Sequence, residues 1–452
     1  MEGTSFLSDK PLLFNSVEFR DGQQSLLAAR VRTQDMIPFM KRMDDIGFYS
    51  MEMWGGATFD VAVRYLKEDP WERIRTFKRF VKKTPLKMVC RAQNLVGYKA
   101  YPDDVVKEFV RLAAKNGIDI FLIFDALQDL RNCKTAFEAA LDAGKMVEGS
   151  IQFNTSPYYT MKDIVENAKE QARMGAKSMH IEDMAGVMRP SEAYEIVARL
   201  KDALDMPVHI HAHSSTGLAD MCYWEAIRAG VDGIDTCIST LAMGSGHPPM
   251  ESFVASLKDT PRDPKIDLSK LEVLHTGFKA LREKYKEFET SLAGVDIGCL
   301  QHQIPGGMLG TLQNQLKAMK VFDKYPLVLK EVASVRADMG YPPLATPSSQ
   351  MCGQQATTNV LTGQKYKMIS KEMRDYCALM YGNPPGPIAS ELKDKALIGR
   401  EQIKGRPADM LEPGMDKARK ELGDLARCEE DVVTYALFPP QALEFLKVKY
   451  NR

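Results

Sequence analysis

A repeated rhythm constrains this chain more than any single motif. Over roughly the first 260 residues, a short β-rich apolar run, a loop and an amphipathic segment follow one another. The runs begin near Leu12, Phe48, Pro85, Ile118, Met146, Ser178, Pro207 and Gly233, at intervals of 26 to 37 residues. Each interval has room for one strand, one helix and two short connections. Segments 103–114, 191–204 and 218–229 carry apolar residues three and four apart, the spacing of a helix with one buried face. Eight such units predict a (β/α)8 TIM barrel over residues 1–265, with its chemistry on the loops that follow the strands. A doubly wound sheet is the alternative; the even spacing and polar strand ends favour the barrel. Past residue 265 the rhythm changes. Segments 268–288, 309–322, 327–339 and 370–381 read as helices, with proline-rich breaks at 342–347 and 384–388. A mostly helical second domain is expected over 266–410, and a charged helical C-terminal extension over 411–452, lying on the exterior or at an interface.

If the strands close into a barrel, polar residues should gather at their C-terminal ends, and they do. The first run ends in Arg20-Asp21-Gly22-Gln23-Gln24, the second in Trp54-Gly55-Gly56 and then Asp60, and the third in Arg91-Ala92-Gln93-Asn94. The fourth ends in Asp125 and the sixth in Glu182-Asp183. Buried polar groups are costly unless they bind something, so this ring reads as an active site.

The seventh run, PVHIHAHSSTG (207–217), is the most informative. Alternation puts His209, His211 and His213 on one face of a strand. Two imidazoles at i and i+2 beside a loop can share one metal ion. His211 and His213 are therefore candidate ligands, and His209, two residues deeper, reads as core. Asp21 and Glu182 can complete a site with two nitrogen and two carboxylate ligands, a mixture suited to a divalent Zn, Mn or Co ion. Asp21 taken alone is equally a turn residue before Gly22. Arg91 can hold a carboxylate or an enolate, or pair with Asp125 or Glu182.

Composition excludes several classes. Sixty basic and sixty acidic residues leave no electrostatic footprint for nucleic acid or an anionic membrane surface. The eight cysteines form no CxxC motif, and Cys90 and Cys237 lie in apolar runs, as expected for the reduced thiols of a cytoplasmic protein. No signal peptide is apparent, and no apolar run approaches the ~18 residues of a membrane span, so no membrane insertion is expected.

With these residues placed, the chain resembles the carboxyltransferase component of biotin-dependent pyruvate-type enzymes. That family includes the carboxyltransferase domain of pyruvate carboxylase, the alpha subunit of oxaloacetate decarboxylase and the 5S subunit of transcarboxylase. The matching stretches are FRDGQQSLLAARVRT (19–33), EMWGGATFDVAVRYLKEDPWERIR (52–75), CRAQNLVGYKAYPDDVV (90–106), FDALQDLRN (124–132), HIHAHSSTG (209–217), IPGGML (304–309) and ATPSSQ (345–350). WGGATFD and TPSS separate it from the related lyase and synthase barrels, which share the RDG and HxH elements. The resemblance implies a helical funnel over the barrel mouth. It implies Asp21, His211 and His213 as metal ligands, and Gln24 and Arg91 as holders of the keto acid. Arg20, Asp60, Tyr98 and Ser349 are implied as substrate or biotin contacts, and Thr346 as the hydroxyl that moves a proton between enolpyruvate and biotin. A carboxyl group would pass between carboxybiotin and pyruvate or oxaloacetate, the enolate being stabilised by metal and guanidinium.

One position departs from the family. Where those enzymes carry a lysine that takes up carbon dioxide to form a metal-binding carbamate, this chain has Glu182, in HIEDMAG. Glu182 is expected to do that work, on the metal or one water away. The tetrapeptide Ala318-Met319-Lys320-Val321 resembles a biotinylation site, but its helical setting makes Lys320 a solvated helix residue. With no biotin carboxylase or biotin-carrying β domain in the sequence, biotin is expected on a separate carboxyl carrier protein. A biotin carboxylase or decarboxylase subunit is the expected partner, and a homodimer the expected assembly. The competing readings are a biotin-independent metal-dependent lyase of the same superfamily and a degenerate scaffold subunit.

Overall fold

The computed structural model describes residues 6–289 and 294–451, with the side chains of 306, 307, 309–311 and 314 outside that description. Eight parallel strands close into a barrel in sequence order. They are β1 (Leu13–Ser16), β2 (Ser50–Trp54), β3 (Leu86–Cys90), β4 (Ile120–Ile123), β5 (Met146–Gln152), β6 (Ser178–Asp183), β7 (Val208–Ala212) and β8 (Gly233–Thr236). β1 pairs with β8 from Leu13↔Gly233 to Ser16↔Thr236, which closes the ring and removes the doubly wound alternative. The helices predicted between the strands form at Asp103–Asn116, Pro190–Ala203 and Ala219–Arg228. Their buried residues, such as Val106, Phe109, Val110 and Ala113, recur at three- and four-residue spacing against the barrel wall.

The barrel interior is not an apolar plug. Lys87, Glu148, His180, His209 and Asp235 are fully buried on the inward face. Lys87 Nζ lies 3.1 Å from Glu148 Oε2, and His180 sits 3.2 Å from both Glu148 and Asp235. His209 shares a hydrogen bond with Asn15 at 3.1 Å, and Asn15 accepts one from Ser50 at 2.7 Å. His209 lies in the core as expected, and in this layer the charged groups neutralise one another, which is how buried charge is tolerated.

Two hydrophobic clusters divide the rest. One joins the barrel and its helices to the helix Leu268–Lys284 and to the segment 415–446. The C-terminal segment is fastened to the barrel exterior: Trp71 Nε1 donates to Thr434 Oγ1 at 2.9 Å and Tyr101 Oη to the Leu437 carbonyl at 2.8 Å. The other cluster runs from Cys299 to Ala396 and takes in Leu127 at the barrel rim. This is the helical cover. Its helices Gly306–Ala318, Tyr325–Asp338 and Lys371–Cys377 match predicted segments, and Ser348–Thr362 is an addition. The last reads SSQMCGQQATTNVLT, too polar and too rich in threonine to show a helical stripe. It is held by burial of Met351, Cys352 and Ala356 in the cover's core. Lys320 is exposed as expected, but it lies in the turn after the helix ending at Ala318, with φ +59°. Arg336 pins cover to barrel: it donates to the Pro342 carbonyl at 3.1 Å, Gln303 at 2.8 Å and the Thr155 carbonyl at 3.2 Å, and also to Asn154.

Candidate functional site

Four side chains meet where the barrel opens towards the cover. Asp21 comes from the helical turn Glu18–Gly22 after β1, His211 from β7, His213 from just beyond it, and His247 from the loop after β8. Asp21 Oδ2 lies 3.4 Å from His211 Nε2, 3.7 Å from His213 Nε2 and 3.5 Å from His247 Nε2. One ligand atom from each of the four falls within 4.8 Å of all the others. Tetrahedral ligands on ~2.1 Å bonds stand about 3.4 Å apart, so the spacing suits an ion such as zinc. All four residues are buried, and none of these four atoms makes a hydrogen bond. Three imidazole nitrogens with no hydrogen bond, aimed at a carboxylate oxygen that Arg20 Nη1 approaches at 3.1 Å, fit a metal that accepts them.

The far side of every ligand is fixed. His211 Nδ1 is 2.9 Å from Asp235 Oδ2, His213 Nδ1 2.7 Å from the Ser245 carbonyl, and His247 Nδ1 3.1 Å from the Ala212 carbonyl. Ser25 Oγ donates to Asp21 Oδ1 at 2.9 Å. These contacts set the tautomer that leaves each Nε2 free for a metal. The β7 and β8 loops are tied together by Ser214 N–H donating to the Gly246 carbonyl at 2.8 Å. The β6 loop closes in through Gly186, at φ +66°, where a Cβ would stand 2.2 Å from the His213 carbonyl oxygen; only glycine fits. Burial opposes charge on Asp21, but Arg20 and the imidazoles override it and hold the carboxyl well below its ordinary range. Burial likewise opposes charge on His211, yet its contacts with Asp21 and Asp235 raise it to about 10, while burial and the neighbouring His247 push His213 down to about 3.

Above this centre lies a cavity of about 770 Å3. Asp21, Gln24, Ser25, Met184 and His213 form its floor, and Thr346, Ser349 and Gln350 face them from the cover. Thr346 is half-buried, and its Oγ1 accepts from Gln350 Nε2 at 3.2 Å. Of the predicted residues, Asp21, Gln24, His213, Thr346 and Ser349 therefore share one wall-to-wall space.

Arg91, Asp60 and Tyr98 form a separate group beside it. Tyr98 Oη donates to Asp60 Oδ2 at 3.1 Å, and the Arg91 guanidinium stands 5.7 Å from the Tyr98 ring. Asp60 also pairs with Arg64. A Cβ at Gly56 would fall 1.9 Å from Arg91 Nη1, so this turn needs glycine for the guanidinium to lie against the backbone. Arg20 is buried and committed to protein partners, Glu52 at 2.5 Å and Asp21 at 3.1 Å. Asp125 caps a turn, accepting from Leu127 and Asp129 N–H at 2.9 and 3.0 Å.

Glu182 stands outside the converging group. It is buried, pairs in register with His211, and takes a 3.0 Å hydrogen bond from Gln152 on Oε2, while Oε1 has no partner. His247 is the site residue that sequence reasoning missed. Its signal was a histidine after the eighth strand, in GSGHPP, at the barrel end where every other candidate lay.

A parallel (β/α)8 barrel with three histidines and an aspartate converging at its strand ends, under a helical cover, defines a barrel-enzyme active site. Comparison with known proteins narrows this. A model of the HMGL-like family matches residues 12–276, and one of the conserved carboxylase domain matches 299–452. The chain is 49% identical over 433 residues to a pyruvate carboxylase subunit from Methanocaldococcus jannaschii, covering 95% of this chain and 76% of that protein. It is 46% identical over 444 residues to the 2-oxoglutarate carboxylase large subunit of Hydrogenobacter thermophilus, covering 96% and 68%. Against the methylmalonyl-CoA carboxyltransferase 5S subunit of Propionibacterium freudenreichii subsp. shermanii it is 41% identical over 436 residues, covering 95% and 86%. The solved carboxyl transferase domain of Rhizobium etli pyruvate carboxylase with pyruvate and biocytin superposes with a TM-score of 0.93 at 30% identity, over 97% of this chain and 78% of that one. The chain belongs to this family and is the carboxyltransferase component of a biotin-dependent enzyme. Several relatives are named as subunits, which implies partner subunits here. No described helix is long and apolar enough to cross a membrane.

Proposed function

We propose that this chain moves a carboxyl group between the biotin of a separate carrier protein and a small keto acid, pyruvate on one side of the reaction and oxaloacetate on the other. One observation carries the reading. A single cavity sets Thr346 and Ser349 of the cover opposite Asp21, Gln24 and His213 of the barrel. Asp21, His211, His213 and His247 would hold a divalent Zn, Mn or Co ion, which when bound supplies a Lewis acid to the keto-acid oxygen. Gln24 orients the keto acid from the floor, and Arg91 stabilises charge on its enolate oxygen. Ser349 contacts biotin, with Arg20, Asp60 and Tyr98 as further substrate or biotin contacts. Thr346 holds its hydroxyl over the same space to move the proton between the enol and the biotin ring. Glu182, one strand from His211, adds negative charge beside the centre.

The partners proposed are a biotin carboxyl carrier protein and a biotin carboxylase or decarboxylase subunit. A homodimer is proposed as the assembly, supported by the exposed apolar residues Val295, Ile297 and Leu327. The absence of disulfides among the described cysteines supports a cytoplasmic setting.

The test mixes metal-loaded chain with oxaloacetate and free biotin and follows pyruvate. Release that depends on biotin is expected. Release at the same rate without biotin would instead mark a lyase, and no release from metal-loaded chain would mark a scaffold.

A further inference from the structure

We propose that His247 is the fourth ligand of the metal centre, in the role that a carbamylated lysine fills in the family the sequence resembles, and that Glu182 is not a ligand. The inference rests on the metal dependence proposed above and goes beyond it by naming the atom that fills the fourth position.

Three observations carry it. The first is convergence: His247 Nε2 lies 3.5 Å from Asp21 Oδ2, within the same narrow range as His211 and His213. The second is orphaning. His247 is fully buried, its Nε2 has no hydrogen-bond partner, and its Nδ1 is occupied by the Ala212 carbonyl at 3.1 Å. A buried imidazole with one nitrogen anchored and the other aimed at two histidines and a carboxylate is built as a ligand. The third is the rigidity of its loop. Met243 N–H donates to the His247 carbonyl at 2.8 Å, Ser214 N–H to the Gly246 carbonyl at 2.8 Å, and the Ser245 carbonyl receives His213 Nδ1. The loop that positions His247 thus also fixes the tautomer of His213. Each ligand is oriented by backbone next to the other, so the pair stands or falls together.

Glu182 meets only the second criterion, since its buried Oε1 has no hydrogen-bond partner. It lies outside the converging set, and one of its oxygens is already committed to Gln152. Its stem is several atoms shorter than a carbamylated lysine in the same strand position. The glutamate keeps a negative charge near the centre while the imidazole supplies the bond. The centre then loads with metal without consuming carbon dioxide.

The experiment uses the full chain, stripped with a chelator and reloaded with Co(II) in bicarbonate-free buffer. Proton NMR in water then counts the ligating imidazoles, because each histidine bound through Nε2 keeps one exchangeable, strongly shifted Nδ1–H. Wild type should show three such resonances and His247→Ala two, with cobalt affinity lowered at least ~10–100-fold. Glu182→Gln should keep three resonances and lose far less cobalt affinity than His247→Ala. Two resonances in wild type, loss of cobalt in Glu182→Gln, or affinity that rises with added bicarbonate would overturn the assignment. A wild type that binds no cobalt at all would instead overturn the metal dependence on which it rests. Should His247→Ala fail to fold, the wild-type count and Glu182→Gln decide the question alone.

Discussion

The floor and the roof of the cavity are built in opposite ways. On the floor, every ligand side chain is held from behind: His211 by Asp235, His213 by the Ser245 carbonyl, His247 by the Ala212 carbonyl and Asp21 by Ser25. The roof offers hydroxyls with little behind them. Among the described residues, Thr346 Oγ1 is met by the exposed Gln350 side chain at 3.2 Å, and Ser349 Oγ by the same residue at 3.4 Å. Around them the lining is largely apolar, from Met308, Leu312, Leu344 and Leu361. A site that concentrates charge on an enolate needs donors that do not reorganise, and the floor supplies them. A site that must admit and release a ring carried on another protein needs a surface that yields, and the roof can supply that. The two walls divide the chemistry between them.

Breaking the floor should have the largest effect. Asp21→Ala removes the one carboxylate in the converging set and one of Arg20's two carboxylate partners, so both metal content and turnover are expected to fall to background. Metal analysis beside a pyruvate-release assay checks this, and normal metal content in the variant would remove Asp21 from the ligand set. Thr346→Ala comes next and touches only the roof. Its metal content should match wild type while biotin-dependent turnover falls by ~100 to 10,000-fold, the usual contribution of a positioned proton-transfer group. Thr346→Ser should restore part of the rate. Near-normal turnover in the alanine variant would assign the proton to another group and leave the roof a purely steric surface.

A smaller effect is expected one layer below the floor. Asp235→Asn keeps the shape but loses the charge that orients His211, and outer-shell changes of this kind cost ~10–100-fold in metal affinity. Competition against a calibrated chelator measures it. Asp235 also faces His180 at 3.2 Å and Lys87 at 3.9 Å, so the variant leaves that buried layer with one negative charge fewer. Thermal unfolding of metal-free protein separates the two consequences: a stability loss there reports the ion layer, and the affinity loss reports the ligand.

How much of this was legible followed the same division. Period-two alternation fixed the inward histidines, and the spacing of eight strands fixed the barrel, because both patterns are written in nearest-neighbour geometry. His247 was invisible to that logic: it is a loop residue, brought to β7 by closure of the barrel between β1 and β8. Glu182 had the right strand position, but its reach depended on Gln152 and on a competing imidazole, neither of which a single sequence orders in space. On the roof, Thr346 and Ser349 were found only by resemblance. The helix that begins at Ser348 lacks an apolar stripe and is shaped by tertiary burial rather than propensity. The ion layer inside the barrel was not read from the sequence beyond His209 as core, since opposite charges from β3, β5, β6 and β8 satisfy one another only after the strands meet.

The seam between floor and roof gives the prediction with the least effect on turnover. Asn132 Nδ2 donates both to Asp125 Oδ1 on the barrel, at 3.0 Å, and to the Tyr381 carbonyl of the cover, at 2.9 Å. Burial, together with the nearby Asp129 charge, pushes the Asp125 carboxyl up to about 7, from an ordinary value of 3.8. The folded protein therefore holds this proton over a range where the unfolded chain has released it. The folded state binds more protons between about pH 4 and 7, so folding stability conferred by this group falls as pH rises through that window. Asp125→Asn replaces the carboxyl with a neutral group of the same shape. Its carbonyl can still accept from Leu127 and Asp129, while its amide faces Asn132 Nδ2, so the variant loses that one hydrogen bond at every pH. The variant should gain stability relative to wild type as pH is raised from 4 to 7 and keep a constant difference above that, with turnover and metal content unchanged. Denaturant midpoints at a series of pH values measure the slope. A difference that does not vary with pH would show that the carboxyl is ionised throughout and that the seam is held by its charge.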